Sequence, residues 1–200
     1  MTMTSNLLQI FETTIIQEFV FLQMEFGFEL TKESDYQFVA KSSNCHVVID
    51  FDRNVVGCWI ERLDIPQNHP DRGLSVEWIA NSFGYQDDEL KFLTYEESII
   101  RQIKLHAKLL KDYCSEFLRG DFSGWKQVKG YVEKQIEIED EKHNKESLER
   151  LTSEIRQEAE SAWLAKDYGK VISLFETMDE FLTPSERKKL LYSKKHASLK

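Results

Sequence analysis

Apolar residues recur at intervals of three and four through Leu8, Phe11, Ile15, Phe19, Leu22 and Phe26, which lines them along one face of a helix. Gly27 supplies its stop, because glycine enters the left-handed conformation that closes a helix without steric cost. The period then changes. FELT (28–31), YQFVAKS (36–42), CHVVIDFD (45–52) and VVGCWIERL (55–63) are short, rich in β-branched and aromatic residues, and separated by KESD, SN and RN. They predict an antiparallel meander of three to four strands with the opening helix over one face. Pro66, Pro70 and Gly73 break the chain into a loop.

From Ser75 the pattern turns helical. Val76, Ile79, Ala80 and Phe83 form a short stripe ended by Gly84, and Ile99, Ile103, Ala107, Leu110, Cys114 and Phe117 form a longer one. Thr94 with Glu97 opens that second stripe as a capping box. Trp125, Val128, Val132 and Ile136 predict another helix, weakened by Gly124 and Gly130. Residues 133–150, EKQIEIEDEKHNKESLER, carry mixed charge and little apolar content, the mark of a solvated helix or a linker. Three helical pieces follow: Leu148, Leu151, Ile155, Ala159 and Ala162; then Tyr168, Val171, Ile172, Phe175, Met178 and Leu182; then a segment opened by Thr183-Pro184-Ser185-Glu186. The expected fold is α+β: an N-terminal helix on a three- to four-stranded antiparallel meander, followed by a mainly helical C-terminal half. The expected division is an α+β domain over 1–140 and a helical tail over 146–200.

Charge sharpens this picture. Residues 1–100 hold 17 acidic against 6 basic side chains, net −11, and residues 101–200 hold 18 against 20, net +2. An acidic front half disfavours nucleic acid as its ligand and favours a basic protein partner. No apolar run approaches the length of a membrane span, and the first residues lack a basic leader pattern, so a cytoplasmic protein that does not bind membranes is expected. Cys45, Cys58 and Cys114 are odd in number and lack metal-ligand spacing. On a strand, adjacent Cys45 and His46 point apart, so neither disulfide nor metal is expected.

The same alternation yields the candidate site. With Cys45, Val47, Ile49 and Phe51 facing the opening helix, and Val56, Cys58 and Ile60 likewise, the residues His46, Val48, Asp50, Asp52, Trp59 and Glu61 face away. A tryptophan among carboxylates has the composition of a protein-binding anchor, so His46, Asp50, Asp52, Trp59 and Glu61 are the candidate partner-binding residues. The alternative is that a later helix, 75–83 or 95–119, covers this face and makes Trp59 core. No catalytic residue and no cofactor is expected, since G-x-S-x-G, P-loop and H-E-x-x-H patterns are all missing. Other readings are a helical protein-interaction adaptor using the C-terminal region, and an enzyme whose site is assembled from distant residues.

Two tripeptides invite functional readings that their contexts oppose. Arg119-Gly120-Asp121 is explained as a joint, Gly120 ending one helix and Asp121 capping the next. His69-Pro70-Asp71 matches the J-domain tripeptide, but WIERLDIPQN before it is not a basic helix. The basic end, with Arg187, Lys188, Lys189, Lys194, Lys195 and Lys200, reads as a solvated helix terminus suited to the helix dipole.

AWLAKDYGKVISLFETM and the Pro-initiated helix after it resemble tetratricopeptide-type repeats over roughly 148–198. A small residue would stand at Val171 in that repeat. One and a half repeats do not bury their own face, so the resemblance implies docking on neighbouring helices or on a partner. The order of opening helix, Gly27-Phe28-x-Leu30, Tyr36-x-Phe38, Val47-x-Ile49-x-Phe51 and then helices is similar to small bacterial proteins that include immunity proteins of toxin systems. That resemblance implies stoichiometric capture of a toxin without chemistry, and it carries over no individual residue.

Overall fold

In a computed structural model the protein is described over residues 2–86 and 94–197, with side chains from residue 6. It forms two compact units, Met1–Lys134 and Gln135–Lys200. The first unit begins with α1 (Thr2–Glu18) and α2 (Val20–Phe26), followed by β1 (Glu29–Ser34), β2 (Gln37–Lys41), β3 (Cys45–Asp52), β4 (Val55–Arg62) and β5 (Gly73–Ser75). Then come α3 (Val76–Ser82), α4 (Tyr95–Tyr113), α5 (Ser115–Leu118) and the first turns of α6 (Trp125–Leu164). The second unit holds the rest of α6, then α7 (Tyr168–Glu176), a 3₁₀ turn (Asp179–Phe181) and α8 (Pro184–Ala197).

The opening helix is broken at Phe19 (φ −98°, ψ 3°) where the sequence predicts one continuous element. Adjacent Phe21 and Leu22 are both buried, which a straight helix with a narrow apolar stripe does not allow. The break turns the chain so that both rows reach the core. Gly27 closes α2 in the left-handed conformation (φ 70°), and the Phe28 amide donates back to the Leu22 carbonyl at 3.0 Å.

The five strands form an antiparallel sheet in the order β1-β2-β3-β4-β5. Arg53 and Asn54, both with positive φ, make the two-residue turn whose twist matches the β3–β4 hairpin. Inward positions Phe38, Ala40, Cys45, Val47, Ile49, Phe51, Val56, Cys58 and Ile60 join one core with Phe11, Ile15, Phe19 and Leu22. Phe11 stacks on Phe51 (5.3 Å) and meets Phe38 edge-on (5.8 Å), so α1 lies on the inner face of the sheet. β5 is an addition to the expected meander: three residues pair with Trp59–Glu61 where the sequence shows only a Pro- and Gly-containing loop. Three residues are too few for an alternation to show.

α4 starts with the expected capping box between Thr94 and Glu97. α6 runs unbroken through 133–150, so that segment is the solvated helix of the two expected alternatives and not a linker. Every side chain from 136 to 151 is exposed, so nothing in its apolar pattern announces the helix there. In the second unit Ala159, Ala162, Val171, Phe175, Met178, Leu182 and Leu190 make a separate small core. Among the described residues no helix is long and apolar enough to cross a membrane.

Candidate functional site

The strand register decides which side chains share the outer face of the sheet. Val39 pairs with Val48, Val48 with Trp59, and Trp59 with Ser75. His46 pairs with Glu61, Asp50 with Gly57 and Asp52 with Val55. The five predicted residues therefore stand on one face, opposite the helices. Trp59 is half-buried and none of its neighbours across the strands belongs to the inner core. Val39 and Val48 are only 7% and 5% exposed yet are not members of that core. They form, with Trp59, an apolar strip across three strands on the outer side.

The indole is fixed by what surrounds it. A Cβ placed on Gly57 would stand 3.0 Å from the Trp59 ring and collide with the Asp50 carboxylate, while one on Gly73 would lie 3.7 Å from the ring. The ring thus lies low across the sheet, in space that Gly57 leaves free and in ordinary van der Waals reach of Gly73. Its Nε1 donates to Glu61 Oε1 at 3.3 Å. Glu61 also receives Arg72 Nε at 3.4 Å, and Arg72 donates to the Ile65 carbonyl at 3.2 Å.

Burial raises the Asp50 carboxyl above its ordinary range; a backbone hydrogen bond from Gly57 opposes the shift and nearby Asp52 adds to it. Burial likewise lowers His46, with Glu61 opposing and Lys41 and Arg72 reinforcing. Asp52 is exposed at the end of the hairpin, with Arg53 Nε at 3.9 Å. The face is less anionic than its sequence implies: Arg72 neutralises Glu61, and Lys41 pairs with Glu33 at 2.6 Å. Asp50, Asp52 and Glu29, which the pairing of Glu29 with Lys41 puts on the same face, carry what remains. Arg72, Gly57 and Gly73 are the residues that sequence reasoning missed. Only the pairing of β5 with β4 brings Arg72 and Gly73 to the tryptophan, and no local pattern signals that pairing.

A second polar cluster lies beside the sheet edge. Ser75 Oγ donates to Glu77 Oε2 at 2.6 Å, and the other Glu77 oxygen forms a short hydrogen bond with His106 Nε2. Burial pushes the Glu77 carboxyl up, but the hydrogen bonds from His106 and Ser75 outweigh it and hold it low. His106 is 2% exposed and its Nδ1 has no partner among the described residues. The order is serine, carboxylate, imidazole. Because the carboxylate separates the hydroxyl from the base, this is no nucleophilic triad; it ties α3 to α4.

The remaining sequence candidates have structural explanations. Asp71 is held in structural contacts: its carboxylate forms a short ion pair with Lys129, its carbonyl accepts from Trp125 Nε1 at 3.0 Å, and its amide donates to His69 Nδ1 at 3.1 Å. Arg119 lies over the Phe26 ring at 5.1 Å, and Asp121 accepts from the Ser123 amide at 2.9 Å. Asp121 thus caps the turn before α6 and not the first turn of α6 itself. All three cysteines are buried thiols: burial pushes Cys45 up to about 11, and Cys58 and Cys114 well up too. Among the described residues no three His, Cys, Asp or Glu side chains converge as metal ligands. In the second unit, a cleft of about 510 Å³ along α6 is bordered by the Lys170–Glu158 ion pair (2.7 Å). Trp163 and Tyr168 pack edge-to-face at 6.0 Å, and Tyr192 joins them.

Comparisons with known protein families, with curated proteins and with solved structures find no match.

Proposed function

We propose that the protein is a non-catalytic binding protein that captures a basic protein through the outer face of its sheet. Trp59 is the anchor, and Asp50 and Asp52 supply the charge that orients the partner. The observation that carries this reading is the Trp59 indole, held low between Gly57 and Gly73 beside a half-buried carboxylate. A carboxylate kept partly desolvated before binding meets a partner's cation at lower desolvation cost than a hydrated one. The acidic front half favours the same class of partner by steering. The likeness to immunity proteins supports a secreted basic toxin as that partner, and three buried free thiols support a reducing, cytoplasmic setting.

The test is parallel capture with the wild-type chain, Trp59→Ala and Asp50→Lys as baits, at low and high salt. A basic protein retained by the wild type should bind at least about 30-fold more weakly to Trp59→Ala, the loss expected of a central anchor. Its capture should also fall with salt. A partner held equally by all three baits, or one indifferent to salt, refutes the reading.

A further inference from the structure

The second unit carries two exposed patches of opposite charge. On α8, Leu191 is 67% exposed. Its helical neighbours at i−4, i−3, i+3 and i+4 are Arg187, Lys188, Lys194 and Lys195, all exposed, so a leucine stands inside a frame of four cations. Arg187 donates to the Asp179 carbonyl and Lys194 pairs with Glu176 at 2.7 Å, while Lys188 and Lys195 have no ion pair among the described residues. Lys200 lies outside those residues. On α6, Glu137, Asp140 and Glu141 share one face at spacings of three and four, and Ile136 and Ile138, each 48% exposed, flank that face on either side. No cation intervenes between Lys134 and Lys142. One patch is the chemical complement of the other.

They do not meet within one chain. α8 lies beside the end of α6: Arg156 pairs with Glu186 at 2.9 Å, Lys189 with Glu160, and the Trp163 and Tyr192 rings are 5.4 Å apart. The level of Leu191 is therefore that of residue 163, on the order of 35 Å along the α6 axis from Ile138 at 1.5 Å per residue. Midway between the two levels, Leu148 and Leu151 are 39% and 54% exposed, continuing the apolar stripe of Ile155, Ala159 and Ala162 past the cover of α7 and α8.

We propose that a second copy of this chain occupies both patches. Two α6 helices run antiparallel about a two-fold axis at Leu148 and Leu151. The acidic segment 136–141 of each copy then lies on the cationic face of the other's α8. The contact is isologous, so each patch is used twice and the association closes as a dimer. Other occupants fit less well. An interfacial membrane helix needs a broad apolar face, and Leu191 is flanked by charge on both sides. Single-stranded nucleic acid needs free rings to stack on, and Tyr192, Tyr168 and Trp163 are engaged with one another edge-to-face. Neither contact involves the outer face of the sheet, so this proposal stands or falls apart from the capture function.

Sedimentation velocity of the full chain, from about 1 to 100 μM at low and high salt, reads the dimer directly. The wild type should dimerise in this range and dissociate as salt rises. Lys188→Glu with Lys195→Glu should remain monomeric with an unchanged circular dichroism spectrum. Adding Glu137→Lys and Glu141→Lys to that same chain should restore the dimer by reversing both charges. A wild type that is monomeric throughout, or a dimer indifferent to the α8 reversal, overturns the proposal. A reversal that breaks the dimer and is not rescued overturns the acidic segment as occupant and leaves α8 to a foreign acidic chain or surface.

Discussion

Gly57 is the residue on which the candidate site turns, since its missing side chain is the space into which Asp50 and Trp59 settle. Gly57→Ala should displace both. The expected outcome is a red-shifted tryptophan emission and weakened partner capture with the inner core intact, and a spectrum identical to wild type would show the indole lies elsewhere. Asp50 gives a sign-determined test. Its carboxyl is raised in the folded protein, so its charged form is the disfavoured one there, and folding stability recovers as pH falls from the raised folded pKa toward the unfolded value. Asp50→Asn removes that cost while keeping an acceptor for the Gly57 amide. It should melt higher than wild type at pH 7, with the gap closing in acid. The roles of Trp59, Asp50 and Glu61 as outward residues were legible from period-two alternation alone. Arg72 was not, because a residue in an irregular loop has no period to read.

The elements differ in how openly their sequences speak. Thr94 with Glu97, and Thr183 with Glu186, write their helix starts in four residues, because a capping box is a local hydrogen-bond exchange. Thr183→Ala should cost about 1 kcal/mol in chemical denaturation of the second unit. β5 and the break at Phe19 were hidden, since both are imposed by the core they join. The join of α3 to α4 was hidden too: Glu77 and His106 lie far apart in the chain and meet only when both helices pack. Glu77→Ala would leave a buried imidazole without a partner on either nitrogen among the described residues. A loss of about 2 kcal/mol is expected, measured by urea unfolding. Glu77 is held low, so its contribution is present above the unfolded carboxyl pKa and is lost as pH falls through the folded one.

At the scale of the molecule, the chain builds two cores that share no residue. The first closes with Val128, with Val132 packed against it, and the second opens at Ile155. A chain ending at residue 140 should therefore keep the sheet, its helices and a cooperative unfolding transition by circular dichroism. Collapse of that fragment would mean the helical tail is needed to complete the first core. The α+β arrangement and the helical second half were readable from changes of hydrophobic period. The continuity of α6 was not, because its middle is polar on every side, and only charged neighbours such as Lys142 with Glu146 and Arg150 with Glu154 mark it as helical.

Those sixteen residues, 136–151, stand in water on all sides. An unsupported stretch of that length is marginal as a helix, so its backbone protons should trade for deuterium far sooner than those of β3 or α4. At concentrations where a second copy lies alongside, the same protons should slow.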